Sequence, residues 1–101
     1  MSGYKNLSPA EFKQGFEADA NAVVLDVRTP AEVAAGTIDG AKVLDFFDPN
    51  FAKNIMELDK TKSYYIYCRS GNRSGQACAF MASNGFQGDL VNLVGGMMAW
   101  S

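Results

Sequence analysis

The segment from Tyr64 to Gly75 contains the residues best suited to covalent chemistry. Its aromatic and β-branched first half is typical of a buried strand that ends at Cys68, and a short polar loop then leads into a helix. Main-chain amides at such a junction, the helix N-terminus and the guanidinium groups of Arg69 and Arg73 all favour a thiolate. Gly71 gives the loop backbone conformations that other residues avoid. We therefore predict a nucleophilic Cys68, at the mouth of a cradle of amides, with a pKa well below the ordinary ~8.5.

The two cysteines receive opposite interpretations. Cys68 could be a buried structural residue in an ordinary turn, but the coincidence of cysteine, glycine, two arginines and a helix start favours the nucleophile. Cys78 lies within the predicted helix between two alanines, where a free cysteine behaves as a small buried hydrophobe and desolvation raises its pKa. The helix places Cys78 roughly 9 Å along its axis from the loop. A disulfide requires Cα atoms within about 7 Å, so we expect both thiols to be free.

The prolines predict where helices begin. Each follows a residue that favours the N-cap, in Ser8-Pro9, Thr29-Pro30 and Asp48-Pro49. Glu11 and Glu32 stand three residues after the first two caps, which is the capping-box spacing. We therefore predict helices that start near residues 9, 30 and 49, the first running to about Ala18 and the second stopping at Gly36. A fourth is predicted over residues 72–83, with Gly85 ending it.

Short apolar runs between these helices predict strands over residues 22–27, 41–44, 63–67 and 89–94. Strands that alternate with helices indicate an α/β fold with a parallel sheet. Several large apolar side chains are expected in the core, namely Phe46, Phe47, Met56 and Met81, and Met97 and Met98 are assigned there in preference to a pocket rim.

Composition limits the function. The 101 residues carry a net charge of −2, which argues against a basic nucleic-acid-binding protein. The absence of histidine excludes Cys–His and Ser–His catalytic pairs and most zinc sites, so we expect no metal and no cofactor. Residues 1–10 do not resemble a signal peptide, and no apolar run approaches the ~18 residues of a membrane helix. We expect a cytoplasmic monomer without membrane or nucleic-acid partners.

Four segments in order resemble the signatures of the single-domain rhodanese family, the thiosulfate sulfurtransferase-like proteins. They are Leu25-Asp26-Val27-Arg28 with Glu32, Gly36-Thr37-Ile38-Asp39-Gly40-Ala41, Cys68 to Ser74, and Gly95-Gly96 with Trp100. The resemblance implies one rhodanese-like domain over residues 1–101, with a mainly parallel sheet of about five strands and helices on both faces. Thr37 and Asp39 stand where the family usually has histidine and proline, and we interpret both as structural changes outside the loop.

The resemblance also implies a sulfurtransferase that moves sulfur from thiosulfate, or a similar small anionic donor, through a Cys68 persulfide. The acceptor would be a thiol or cyanide, with a redox or sulfur-relay protein as one possible thiol. The anion-binding loop would comprise Arg69, Ser70, Gly71, Asn72, Arg73 and Ser74. Asp26, Arg28 and Glu32 are interpreted as a supporting network of salt bridges and caps.

Two alternatives remain open. One is a persulfide carrier or interaction module that delivers sulfur to a partner without turnover. The other, less favoured, is a cysteine phosphatase or arsenate reductase. Those enzymes have five residues between cysteine and arginine, whereas four separate Cys68 from Arg73 here. A shorter loop offers fewer amides to the three equatorial oxygens of a phosphoryl group.

Overall fold

The computed structural model describes residues 3–100, which form a five-stranded parallel sheet. The strands lie in the order β1-β5-β4-β2-β3. In chain order they are β1 (Lys5–Leu7), β2 (Ala22–Asp26), β3 (Lys42–Val43), β4 (Ser63–Tyr67) and β5 (Leu90–Leu93). The predicted α/β class and parallel sheet are confirmed.

Helices cover both faces of this sheet, as expected. They are α1 (Pro9–Ala18), α2 (Pro30–Val33), α3 (Phe51–Met56), α4 (Asn72–Ala82) and α5 (Gly96–Ala99). Because successive strand residues point to opposite faces, Tyr64 and Ile66 of β4 join a core with α3 and α4. Tyr65 and Tyr67 join a second core with Phe12 of α1. All five residues of β4 are buried, as a central strand covered on both faces requires.

Two of the three predicted helix starts are confirmed. Ser8 and Thr29 each cap their helix within a complete capping box. The third helix begins at Phe51, two residues after the predicted start near residue 49, and its N-cap is Asn50 rather than Asp48. Asp48 caps a turn instead: its Oδ1 accepts from Asn50 N at 2.8 Å, and its carbonyl accepts from Phe51 N at 2.9 Å.

Other differences concern short elements and the rim of the core. The edge strand β1 and the four-residue α5 were not predicted, and α2 ends at Val33, three residues before Gly36. Three residues assigned to the core are exposed: Phe47 (64%), Met56 (38%) and Met98 (70%). None of the helices within residues 3–100 is long and apolar enough to span a membrane.

The parallel sheet brings three strand ends together. The carboxyl ends of β2, β4 and β5 lie at one edge, where Asp26, Tyr67 and Leu93 are the last strand residues. Ligands bind beyond this edge in open α/β sheets. The segment after β4 is the one that carries Cys68.

Candidate active site

Residues 68–74, here termed the Cys68 loop, comprise the tight connection between β4 and α4 and the first residues of α4. Gly71 is the N-cap of α4 with φ of +99°, in the left-handed region that favours glycine. A Cβ at this position would lie 3.1 Å from Leu93 O, so the close approach of β5 also requires glycine. The backbone turns sharply here and directs amides back toward the end of β4.

The sulfur of Cys68 is surrounded by hydrogen-bond donors. Gly71 N donates to Sγ at 3.1 Å, and Ser74 Oγ lies 3.3 Å from Sγ. Burial raises the pKa of the Cys68 thiol, but hydrogen bonds from Ser74, Gly71 and Ser70 outweigh it and hold that pKa below its usual value. The predicted direction of the shift is confirmed: the predicted main-chain amides contribute together with the Ser74 hydroxyl, whereas neither arginine hydrogen-bonds to Sγ within residues 3–100.

Cys68 is more deeply buried than the predicted position at the mouth of a cradle of amides. The residue has no exposed surface, whereas Arg69 and Ser70 of the loop above it are exposed. The sulfur therefore lies beneath the loop.

Helix α5 fixes the loop from the other side. Met97 N donates to Cys68 O and Met98 N donates to Arg69 O, both at 3.0 Å. A Cβ on Gly96 would overlap both of those carbonyl groups, so the contact depends on this glycine. Because a peptide group is planar, holding the carbonyl of Arg69 also fixes the direction of the Ser70 amide, one of the groups that hydrogen-bond to Sγ.

The arginines of the site differ in their surroundings. Arg73 forms a bidentate pair with Glu32, at 2.8 and 2.9 Å, and its guanidinium lies 5.6 Å from the ring centroid of Phe47. Arg69 is exposed, and no acidic group within residues 3–100 pairs with it. Arg69 is therefore the loop cation whose charge is not balanced by an ion pair.

The residues interpreted as supporting do form such a network. Arg28 pairs with Asp26 at 2.8 Å in a buried salt bridge and donates to Gly36 O at 2.6 Å. Glu32 links the Thr29 capping box to Arg73. The hydrogen bond from Arg73 is the main cause that lowers the pKa of Glu32 to about 2. The network ties the ends of β2 and α2 to the Cys68 loop.

Asn72 lies on the exposed side of α4, and Arg69 borders a pocket beside the loop. Asn72 Oδ1 accepts from Gln76 Nε2 at 2.7 Å on the exposed side of α4. A pocket of about 310 Å³ lies next to Arg69, lined by Arg28, Glu32, Ala35, Met97 and Met98. Met98, which we had assigned to the core, is thus part of the pocket rim.

The two family departures lie apart from this loop. Thr37 and Asp39 are exposed and line a different pocket, of about 370 Å³, together with Lys13 and Trp100. Cys78 is also apart: it is free and fully buried on α4, and desolvation raises its pKa to about 12.

Sequence reasoning missed Asn92 and the role of Gly96. Asn92 is 6% exposed in β5, and its Nδ2 donates to Gly71 O at 3.2 Å. An asparagine within the apolar run Leu90-Val91-Asn92-Leu93 was the available signal, because a buried polar side chain requires partners. Gly96 was noted only as part of a signature.

Comparisons with known proteins agree with this geometry. The family model "Rhodanese-like domain" matches residues 8–101. A sulfurtransferase of Allochromatium vinosum is 44% identical over 85 residues, which cover 83% of this chain and 77% of the relative. The thiosulfate sulfurtransferase GlpE of Pseudomonas fluorescens is 36% identical over 100 residues, covering 99% and 87%.

A solved structure shows the same fold. The crystal structure of a rhodanese-like domain protein from Staphylococcus aureus has a TM-score of 0.82 and 33% identity, and the match covers 96% of this chain and 91% of that one. These relatives support a sulfurtransferase role of the rhodanese type. The chain belongs to the rhodanese-like family.

Proposed function

We propose that this protein is a thiosulfate sulfurtransferase that carries the transferred sulfur as a persulfide on Cys68. The observation that carries the proposal is the set of donors around Sγ, namely Gly71 N at 3.1 Å and Ser74 Oγ at 3.3 Å. These donors lower the pKa of the thiol despite its burial. A thiolate formed in this way needs no histidine as general base, in accord with a chain that contains none.

In the first step the Cys68 thiolate attacks the outer sulfur of thiosulfate. The Sγ–S bond forms as the bond between the two thiosulfate sulfurs breaks, and sulfite leaves with the electron pair. The negative charge of the thiolate moves to the terminal sulfur of the persulfide. Amides that point into the loop stabilise an anion at that position.

In the second step an acceptor takes the terminal sulfur. Cyanide would leave as thiocyanate, and a thiolate would leave as its own persulfide; in both cases the Cys68 thiolate is regenerated. A thiol acceptor could be a small molecule or a redox or sulfur-relay protein. Such acceptors must be kept reduced, which fits the reducing cytoplasm as the place of action.

Donor capture is assigned mainly to Arg69. Its exposed guanidinium lies on the pocket of about 310 Å³ beside the loop and has no ion-pair partner within residues 3–100. The charge of Arg73 is matched by Glu32. Arg73 is thus proposed to hold the loop in shape, with a smaller part in attracting the dianion.

A persulfide carrier is the second candidate, favoured by one observation. Met98 is 70% exposed and lies beside Arg69 on the pocket, so the rim offers an apolar contact to a partner protein. A carrier would form the same Cys68 persulfide but would pass sulfur slowly to small acceptors.

Thiosulfate:cyanide turnover by the purified protein tests the proposal, with Cys68→Ser and Cys78→Ala as matched variants. We expect turnover in the native protein and in Cys78→Ala, and none in Cys68→Ser. Peptide mass spectrometry after incubation with thiosulfate should find the added sulfur on Cys68. Persulfide formation without turnover would favour the carrier, and added sulfur on Cys78 alone would refute the site.

A further inference from the structure

A buried asparagine lies beside the Cys68 loop and has no part in the chemistry above. Asn92 Nδ2 donates to Asn6 Oδ1 at 2.9 Å and to Gly71 O at 3.2 Å. Its Oδ1 lies 2.5 Å from Ser74 Oγ. One side chain therefore connects β1, the loop and α4.

Gly71 determines the orientation of this amide. A main-chain carbonyl only accepts hydrogen bonds, so the Asn92 atom that faces Gly71 O is the nitrogen. Both hydrogens of Nδ2 are then engaged, and Oδ1 faces Ser74. Ser74 has no exposed surface, and its hydroxyl is the donor that the structure gives to Asn92 Oδ1.

The Ser74 hydroxyl has a single hydrogen and two neighbours that can accept it, Asn92 Oδ1 at 2.5 Å and Cys68 Sγ at 3.3 Å. With a protonated thiol, S–H can donate to Ser74 Oγ while Ser74 O–H donates to Asn92. With a thiolate, Ser74 O–H must turn to Sγ, which leaves Asn92 Oδ1 without a donor at a buried position. An unsatisfied buried acceptor is unfavourable.

We propose that Asn92 is a positioning residue that competes with the Cys68 thiolate for the hydrogen bond donated by the Ser74 hydroxyl. The competition makes the thiolate less favourable and so favours the persulfide. The proposal rests on the function proposed above, in which charge leaves Sγ when the persulfide forms. Sγ is then a neutral divalent sulfur, and the Ser74 hydroxyl returns to Asn92. Asn92 exchanges no atoms in either step.

The charged groups around Cys68 stay constant in this comparison. Arg73 of α4 acts on Cys68 and is paired with Glu32 of α2. Asp26 and Arg28, at the end of β2, pair with each other. The groups that β5 and β1 contribute here are the neutral amides of Asn92 and Asn6, so substituting them changes no charge.

The test measures the pKa of Cys68 from the pH dependence of iodoacetamide alkylation, in a Cys78→Ala background. Asn92→Leu removes Oδ1 at similar volume. Gly71 O keeps its bond from Gly75 N at 3.1 Å, so the loop retains a restraint. The Ser74 hydroxyl can then donate to the thiolate without leaving Asn92 unsatisfied. We expect the pKa of Cys68 to fall by about one unit, which is a tenfold increase in its acid dissociation constant.

Two control variants separate competition from a structural role. Asn6→Ala removes the partner at the far end of Asn92 but leaves Oδ1 facing Ser74, so the pKa of Cys68 should not change. In a Ser74→Ala background, Asn92→Leu should have no further effect. A purely structural Asn92 predicts the opposite sign, because a loosened loop loses its amide donors and the pKa rises. A rise or no change in the pKa of Cys68 in Asn92→Leu would overturn the proposal. So would an equal fall of that pKa when Asn92→Leu is combined with Ser74→Ala.

Ser74→Ala alone provides a second measurement that does not depend on folding of Asn92→Leu. Competition means that the Ser74 hydroxyl stabilises the thiolate less than an uncontested hydrogen bond would, so the pKa of Cys68 should rise by less than about one unit, while the main-chain amides of Ser70, Gly71 and Ser74 remain. A rise of more than about one unit, as expected for an uncontested hydrogen bond to a charge, would contradict the proposal.

Alkylation uses no sulfur donor, so this result is independent of whether the protein transfers sulfur. The link to the reaction is tested by the ratio of persulfide to thiolate at equal concentrations of thiosulfate and sulfite. We expect that ratio to be about tenfold lower in Asn92→Leu, matching the pKa shift. If the pKa of Cys68 falls in Asn92→Leu but neither the wild type nor any variant forms a persulfide, the proposed function is refuted and the competition is supported. An unchanged ratio beside a lowered pKa would overturn the bias toward persulfide.

Discussion

Cys68 and Cys78 are both free, both fully buried and members of the same apolar core, yet their thiols are perturbed in opposite directions. Desolvation alone raises the pKa of Cys78 to about 12. The same desolvation acts on Cys68, but the donors of Ser74, Gly71 and Ser70 reverse it. Burial therefore does not decide the direction of the pKa shift; the nearby hydrogen-bond donors do.

The difference arises from the position of each residue along the chain. Cys78 lies within α4, where main-chain amides are engaged in helical hydrogen bonds. Cys68 lies just before the same helix, where the first amides have no hydrogen-bond partner within the helix and can point toward a sulfur. The two thiols are thus perturbed in opposite directions at the two ends of one short segment, and α5 holds the loop in place through the carbonyls of Cys68 and Arg69.

The largest expected effect is on alkylation of the native protein at pH 7. Burial raises the pKa of Cys78 to about 12, whereas hydrogen bonds hold the pKa of Cys68 below its usual value, so at pH 7 a far larger fraction of Cys68 is thiolate. Iodoacetamide should label Cys68 alone, and Cys78 should react only after denaturation. Thiosulfate or sulfite should slow the reaction of Cys68. Similar labelling rates for both cysteines would remove the distinction.

The second prediction tests whether α5 creates that difference. Gly96→Ala places a Cβ against the carbonyl groups of Cys68 and Arg69 and should push α5 off the loop. We expect the pKa of Cys68 to rise toward its ordinary value and turnover to fall by about tenfold or more, as oriented donors are lost.

Gly85→Ala is the matched control for this prediction. Gly85 also has a positive φ, +83°, but a Cβ there would meet no atom within 4 Å. Both variants carry the backbone strain of a side chain in the left-handed region, about 1–2 kcal/mol. Only Gly96→Ala should alter Cys68, and an equal effect of both variants would assign the change to general destabilisation.

Most of this comparison could be predicted from the sequence, because its parts are local. The limits of β4 agree with the predicted strand, and α4 differs from its prediction by one residue. Cysteine, glycine and helix start are adjacent in the chain, so the thiolate environment of Cys68 follows from short-range geometry.

The parts that could not be predicted depend on distant contacts. β1 has three residues and forms by pairing with β5, from which it is separated by most of the chain. α5 has four residues, too few for a periodic pattern, and its role depends on carbonyls more than 25 positions earlier. Phe47 is exposed and its ring faces the guanidinium of Arg73, a contact between residues 26 positions apart that apolar character alone does not indicate.

A smaller effect is expected when charge, rather than amide direction, is changed at the loop. Arg69→Ala should raise KM for thiosulfate by roughly three- to tenfold at low ionic strength, because an exposed cation steers a dianion. The difference from wild type should shrink as salt rises and screening increases. Arg69→Lys, which keeps the charge, should retain most of the affinity.

Arg73→Ala sharpens the contrast between the two arginines. It should also raise KM, but the loss should persist at high salt, because Glu32 loses its partner and the loop its restraint. The same salt dependence for both variants would show that Arg73 acts mainly as a charge. Unchanged thiosulfate kinetics in both variants would exclude the arginines from the mechanism.

The smallest expected effect is on stability and concerns Glu32, which pairs with Arg73 and also completes the capping box of α2. Helix α1 has an equivalent capping box, formed by Ser8 and Glu11. The hydrogen bond from Arg73 lowers the pKa of Glu32 to about 2 in the folded protein, from 4.5. Because the folded value is the lower one, the stabilisation is fully present above about pH 4.5 and is lost as the pH falls toward 2. Glu32→Gln should therefore reduce the free energy of unfolding by about 1–2 kcal/mol at pH 7, with partial exposure limiting the size, and should approach wild type near pH 2.

Glu11→Gln is the control, since Glu11 completes the capping box of α1 and forms no ion pair within residues 3–100. Denaturant titrations at pH 7 and pH 3 measure both variants. A loss in Glu32→Gln that is the same at both pH values, or that Glu11→Gln reproduces, would show that the cap rather than the Arg73 pair carries the stabilisation.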